Sequence, residues 1–326
     1  MLVATALLTV ALLPSRPHVA ALSTLAPPRF DKLTVLGDVA PVSEHLALAV
    51  QQLDTAMSAG AAGNKDAAQR EAVAAIVREF SGTGSGDGAA AGDADGGGIS
   101  GGASPNRATV VMPSGSGKTV LALRAAEAMA SRLTVVLVPA RDLVSQSFRD
   151  WERWRAVPGL LDEWRPLGVC SSTSVPKGTL PRTTSASEIA AWLRCESSAP
   201  RVIFSTYHSA GRVCAALQAA GMTADLLICD EAHRCTGRLG KLYTRPLEDA
   251  FLPAARRLFV TATPKLLGSR RDVDGRLVLA GCMSDELLFG RTVFRLGYAE
   301  AVRRQLVAPL KLVRMLRGSH RARILT

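Results

Sequence analysis

The run Val110-Val111-Met112-Pro113-Ser114-Gly115-Ser116-Gly117-Lys118-Thr119 restricts what this chain can fold into more than any other stretch. A β-branched apolar run meets a turn of small residues, then Lys-Thr, then a helical pattern from Val120 to Ala130. Strand, loop and helix in that order are the context a phosphate-binding loop requires. Glycines let backbone N–H groups turn inward, and the helix behind them adds the positive end of its dipole. Ser114, Gly115, Ser116 and Gly117 can therefore cradle a polyphosphate. Lys118 would then reach the β- and γ-phosphates, and the Thr119 hydroxyl would ligate Mg²⁺. The general pattern opens with a glycine where this chain has Met112, so taken alone the stretch also reads as a Gly/Ser-rich turn with an incidental lysine.

A second segment, Leu226-Leu227-Ile228-Cys229-Asp230-Glu231-Ala232-His233, delivers two adjacent acids to the end of an apolar run. Packing does not explain an acid pair there, because burying a carboxylate is costly unless it has work to do. Beside a phosphate loop, Asp230 would hold Mg²⁺ and Glu231 would polarise the attacking water. The alternative is a pair of solvated loop acids, and His233 by itself reads as a capping or packing residue. The third segment, Leu258-Phe259-Val260-Thr261-Ala262-Thr263-Pro264, ends in two hydroxyls that could hydrogen-bond the Asp230/Glu231 end of a neighbouring strand. In isolation it is equally a Thr-rich turn.

Around these segments the pattern is regular. Apolar runs at 133–138, 167–170, 202–205, 226–229 and 258–260 predict buried strands, with helices expected over 141–153, 187–194, 209–220 and 246–251. Near-continuous apolar strands alternating with helices predict an α/β fold, a mostly parallel sheet with helices on both faces. Sites in such sheets lie beyond the carboxyl ends of the strands, where each polar cluster falls.

At 326 residues the chain suffices for one large or two ordinary domains, and its 48% hydrophobic content supports a core, although much of that is alanine. The formal net charge of +11 suits a polyanionic partner; on charge alone, nucleic acid, an anionic membrane surface and an organellar address stay open. None of the six cysteines forms a Cys-x-x-Cys pair, so neither a zinc site nor a disulfide framework is indicated, and a reducing compartment is expected. Residues 1–30 read as a targeting segment, with an unstructured start and a buried helix as the alternatives. The start is almost wholly apolar but too short for a membrane span, the first acid is Asp31, and no stable membrane anchor is expected. Residues 31–80 read as a helical extension, weak over 41–58 and amphipathic over 67–80 through Ala68, Ala72, Ala75, Ile76 and Phe80. Residues 81–106 are mostly Gly, Ala, Ser and Asp; they cannot bury enough apolar surface to offset ordering and read as a flexible insertion. Residues 107–312 form the nucleotide-binding domain, and 313–326 a basic tail with Arg314, Arg317, Arg321 and Arg323.

MPSGSGKT at 112–119, DEAH at 230–233 and TATP at 261–264, in this order and at these separations, resemble motifs I, II and III of superfamily 2 helicases and translocases. The stretch from Val138 to Gln146 resembles the family's VPxxxLxxQ segment, and that from Val202 to His208 its STY strand. Both segments touch the nucleic-acid backbone in the family, which implies Arg141, Thr206 and Tyr207 as contact residues. Gln69-Arg70-Glu71-Ala72 resembles the YQxxA helix, implying that Gln69 recognises adenine. Residues 283–309 resemble the end of the first motor domain in the restriction-enzyme-type branch, which favours DNA over RNA.

The resemblance implies a RecA-like P-loop NTPase domain that binds ATP and Mg²⁺. In it Lys118, Asp230 and Glu231 are catalytic, while His233, Thr261 and Thr263 couple the site to movement. Family members work with a second RecA-like domain. Only residues 313–326 follow Leu312, so that domain is expected in another chain, and this chain alone is expected to bind ATP and hydrolyse it weakly. The expected function is the motor domain of a nucleic-acid-dependent ATPase inside the cell, in the nucleus or in an organelle. A non-catalytic nucleotide-dependent nucleic-acid-binding module, or a fragment of a longer gene product, is the alternative.

Overall fold

Strands that are apolar on both faces need both faces covered. The computed structural model, which describes residues 64–82, 106–155, 164–171, 180–265, 280–310, 313–314 and 323–324, shows how this chain does it. The readings for residues 1–30, for 41–58 and for 83–105 within the insertion fall outside the described residues.

Seven strands form one sheet: β1 (Arg107–Val111), β2 (Leu133–Val138), β3 (Arg165–Val169), β4 (Arg201–Thr206), β5 (Ala224–Asp230), β6 (Ala254–Thr261) and β7 (Arg291–Arg295). Their spatial order is β3-β4-β2-β5-β6-β1-β7, and every neighbouring pair is parallel. Alternation along each strand splits the core in two. Leu133, Val135 and Leu137 of β2 join one cluster, and Val136 and Val138 the other. Helices α1 (Asn64–Phe80), α2 (Lys118–Ala128) and α3 (Arg141–Trp154) cover the face of Val136, Phe204 and Ile228. Helices α4 (Ala186–Arg194) and α5 (Ala210–Ala220) cover the face of Leu137, Ile203 and Leu227. Two short helices complete the chain, α6 (Glu286–Phe289) and α7 (Tyr298–Arg303). This is the RecA-like α/β architecture, with helices on both faces of a parallel sheet.

The apolar face expected on α1 is buried as predicted, and Val73 and Val77, four residues apart, extend it. One reading is corrected. No α-helix spans 246–251; only a 3-10 turn, Arg245–Leu247, forms there. Pro246 and Pro253 bracket the segment and restrict the residues before them, and the Asp249 carboxylate is drawn to the buried guanidinium groups of Arg107 and Arg257 at 2.8 and 2.7 Å. Within the basic tail, Val313–Arg314 pairs antiparallel with Arg323–Ile324. Edge strand β7 was not predicted as a strand, because its partly exposed Arg-Thr-Val-Phe-Arg offers no apolar run. Among the described residues no helix is long and apolar enough to cross a membrane.

For the site, the register matters most. Val111 pairs with Thr261, and Val260 with Asp230, so β1, β6 and β5 end at nearly the same level on three adjacent strands. Neighbouring strands lie about 4.8 Å apart, which puts the start of the phosphate loop and the acid pair about 10 Å from each other. A lysine side chain can bridge most of that gap.

Candidate functional site

The loop between β1 and α2 starts from a fixed point. The Met112 N–H donates to the Thr261 carbonyl at 2.9 Å, and the Met112 side chain is fully buried in the core. Met112 is not among the residues with positive φ, so its position makes no demand for glycine, which accounts for the departure from the general pattern. Gly115 and Gly117 do adopt positive φ, 81° and 92°. At Gly117 a Cβ would also lie 2.3 Å from Gln69 Nε2, the movable end of a side chain, so it is the backbone that calls for glycine there. Ser114 and Gly115 are exposed at the tip. Ser116 is not: it is 1% exposed, and its hydroxyl and N–H turn back to the Pro113 carbonyl at 2.7 and 3.3 Å. Its side chain therefore holds the loop's shape and does not face a ligand.

Gln69 lies behind this loop. Its side chain is buried, and Nε2 donates to the Gly117 carbonyl at 3.5 Å. Glu71, two residues on, receives Arg304 at 3.1 Å, which ties α1 to the chain just after α7. Trp151 is a residue the sequence reading missed. It is buried, and its indole N–H donates to the Thr119 carbonyl at 3.1 Å. The spacing Val144, Phe148, Trp151 marked a core face on α3, but no local signal pointed its N–H at the loop.

Lys118, Thr119 and Asp230 line one small pocket, floored by Val136, Ile228 and Trp151. The lysine of the loop and the first acid of β5 thus meet in a common space. Burial and, secondarily, the adjoining Glu231 carboxylate push the Asp230 carboxyl up to about 6, against the opposing pull of the Glu231 N–H and of Lys118. That N–H donates to Asp230 Oδ1 at 2.9 Å.

A carboxyl whose folded pKa is raised loses stability as pH climbs from its unfolded value, about 4, through its folded value; below that window the effect is absent and above it constant. In metal-free buffer, Asp230→Asn is therefore expected to be more stable than the parent at pH 7.5 by about 1–2 kcal/mol, with the gap closing by pH 4. Thermal unfolding followed by circular dichroism in EDTA reads this directly. A gap that does not change with pH would show that Asp230 carries no buried charge.

Glu231 follows with φ 50°, the left-handed region that seldom accepts a non-glycine residue, and caps a 3-10 turn, Ala232–Cys235. The twist turns its side chain away from Asp230 and toward His233, whose Nδ1 lies 3.3 Å from Glu231 Oε2 and 3.1 Å from Thr261 Oγ1. Which of Nδ1 and Thr261 Oγ1 donates depends on the imidazole tautomer. Thr261 Oγ1 accepts from the Thr263 N–H at 3.2 Å. Of the two hydroxyls, that of Thr261 meets His233, and Thr263 joins through its backbone N–H: Glu231, His233, Thr261 and the Thr263 backbone form one chain of contacts across β5 and β6.

The residues expected to contact nucleic acid separate. Arg141 is exposed at the start of α3, with Nη1 donating to the Ser171 carbonyl at 3.2 Å. Thr206 and Tyr207, by contrast, are 4% and 1% exposed. The Thr206 hydroxyl accepts from the Ser209 N–H at 3.3 Å and donates to Ser209 Oγ at 3.2 Å. The Tyr207 hydroxyl donates to the Asp230 carbonyl at 2.8 Å, and burial pushes its phenol well up. The burial of Tyr207 has a topological cause: β4 ends one strand away from β5, with only β2 between, so an aromatic ring at its tip folds inward beneath the acid pair.

The sheet and loop together define the class, a RecA-like nucleotide-binding domain of the phosphate-loop type. Over residues 64–266, more than half of its length, the chain matches the family described as Type III restriction enzyme, res subunit, and it belongs to that family. It is a helicase-type ATP-binding domain, and dependence on ATP comes with the family. Among solved structures it is similar to a nuclease-deletion mutant of the Type ISP restriction-modification enzyme LlaGI in complex with a DNA substrate mimic, at 27% identity over 62% of this chain and 19% of that one, TM-score 0.49. It is also similar to the ATP-dependent Type ISP restriction-modification enzyme LlaBIII bound to DNA, at 23% identity over 73% and 15%, TM-score 0.54. The Hef helicase domain of Pyrococcus furiosus shares 21% identity over 51% and 31%, TM-score 0.34. The chain spans less than a fifth of the length of the two restriction-modification enzymes. No curated protein sequence matches it.

Proposed function

We propose that this domain is the ATP-binding half of a motor that acts on DNA, working against a second RecA-like domain. The observation that carries the reading is the single pocket lined by Lys118, Thr119 and Asp230. The backbone of Ser114, Gly115, Ser116 and Gly117 wraps the phosphates, with Lys118 reaching their outer oxygens. Thr119 and Asp230 are the residues that would hold Mg²⁺, which neutralises charge on the phosphates when bound. Glu231 accepts a proton from the attacking water, and His233 carries the state of that carboxylate to Thr261 and Thr263. Gln69 holds the Gly117 carbonyl with one amide N–H and keeps its second N–H and its oxygen for adenine, so base recognition and loop shape share one side chain. Arg141 is the exposed candidate from the motifs for a DNA phosphate, while Tyr207 supports the acid pair from beneath through the Asp230 carbonyl and Thr206 holds the turn after β4 through Ser209. DNA as the substrate is supported by family membership and by the +11 net charge. Residues 107–312 are the working domain in this reading, 31–80 its adenine-side extension and 1–30 an address segment.

The test compares Mg-ATP binding by calorimetry, and ATP turnover with and without duplex DNA, for the parent chain and Lys118→Ala. Loss of a charge-assisted contact to phosphate is expected to weaken binding about 100-fold, roughly 2.7 kcal/mol, and to abolish turnover. Equal binding by the two proteins would remove the nucleotide site. Normal nucleotide binding with no response to DNA would instead remove the motor reading alone.

A further inference from the structure

Between Glu231 and Glu248 the chain carries Arg234, Arg238, Lys241 and Arg245 and no acid. All four are exposed, and none pairs with a carboxylate among the described residues. Arg304, by contrast, is tied to Glu71 and Glu300. The segment is also held in place. Gly237–Arg238 pairs with Ala280–Gly281, and the buried Thr244 hydroxyl donates to the Arg238 carbonyl at 3.1 Å and accepts from the Lys241 N–H at 3.0 Å. The Tyr243 ring packs 5.4 Å from Tyr207 and 5.5 Å from His208, directly after β4. The turn is thereby fixed to the same edge of the sheet as the acid pair, with its cations directed to solvent from a rigid base.

We infer that the turn from Arg238 to Arg245 is a second contact for the phosphate backbone of duplex DNA, beside Arg141. The inference rests on the DNA reading above and adds a place to it. Unpaired cations on a preorganised turn suit an extended polyanion with one charge about every 3.4 Å of axis per strand, because little ordering entropy is lost on binding. A membrane surface would want a broad apolar flank, and Leu242, 39% exposed, is the turn's one exposed large apolar side chain. None of the four lies in the nucleotide pocket, so the contact is independent of ATP chemistry.

The experiment uses the full 326-residue chain and a fluorescent 20-base-pair duplex of arbitrary sequence, with anisotropy measured across a salt series. Arg238→Gln/Lys241→Gln is compared with Arg291→Gln/Arg295→Gln, which removes the same charge from β7 at the far side of the sheet. Arg245 is left intact because its guanidinium also packs over Phe251. The first double variant is expected to bind about tenfold more weakly at 0.1 M salt and to lower the log–log salt slope by about 2, with Mg-ATP binding unchanged. The control is expected to keep the parent's slope. An unchanged slope in the first variant, or an equal loss in both, would overturn this location while leaving DNA binding in place. A parent chain that does not bind the duplex would remove the DNA reading and this surface together.

Discussion

Glu231→Gln is expected to slow ATP turnover by about 10²–10⁴-fold while leaving Mg-ATP binding within about twofold of the parent. In the proposed reading the two acids have separate tasks. Asp230 shares the pocket with Lys118, whereas the positive φ of Glu231 carries its carboxylate toward His233, 3.3 Å away. A glutamine keeps the size and the backbone turn. It cannot take a proton from water. Single-turnover hydrolysis with duplex DNA present, set beside calorimetric binding, separates the two effects. Turnover within threefold of the parent would show that Glu231 is not the base, and a parallel loss of binding would assign it to holding the nucleotide.

Gly290→Ala is expected to destabilise the domain by about 3–5 kcal/mol, enough to unfold a large share of a marginal protein. Gly290 has φ 67°, and a Cβ there would lie 2.0 Å from the Arg107 carbonyl oxygen, 2.1 Å from its carbon and 2.7 Å from the Ala108 nitrogen. All three atoms are backbone of β1, so no side chain can swing aside. The approach is fixed on both sides: Thr109 Oγ1 donates to the Phe289 carbonyl at 2.8 Å and Arg107 Nη1 to the Leu288 carbonyl at 2.6 Å. Relief requires β1 or the α6–β7 connection to move, and β1 leads straight into the phosphate loop. Urea unfolding measures the loss, and Mg-ATP affinity of the folded fraction should fall with it. A change below about 1 kcal/mol would mean the backbone contact is not needed.

The parts of the site that were legible in the sequence are those made by chain-local chemistry. The loop from Ser114 to Thr119 is contiguous, and its glycines mark backbone conformations that other residues seldom take. The acid pair announces itself because a run such as Leu226 to Cys229 has no packing reason to end in two carboxylates. Strands β2, β4, β5 and β6 and helices α3, α4 and α5 showed through for the same local reason, since hydrophobic periodicity is written in consecutive residues. Strand β7 did not, because an edge strand needs no apolar run, and the 246–251 helix failed because distant arginines compete for Asp249.

What the sequence by itself determined is therefore the loop, the acids, the alternation of strands and helices and the sign of the net charge. Only the tertiary structure decided which polar residues face outward. Thr206 and Tyr207 belong to a motif that suggested contact with a ligand, yet the order β4-β2-β5 turns Tyr207 under Asp230. Met112 stands where a glycine was expected, but the local backbone places no such demand on it. Trp151 reaches the phosphate-loop helix across a gap in sequence that no periodicity records. Direction and burial depend on which strands become neighbours, a long-range choice that contiguous residues do not encode.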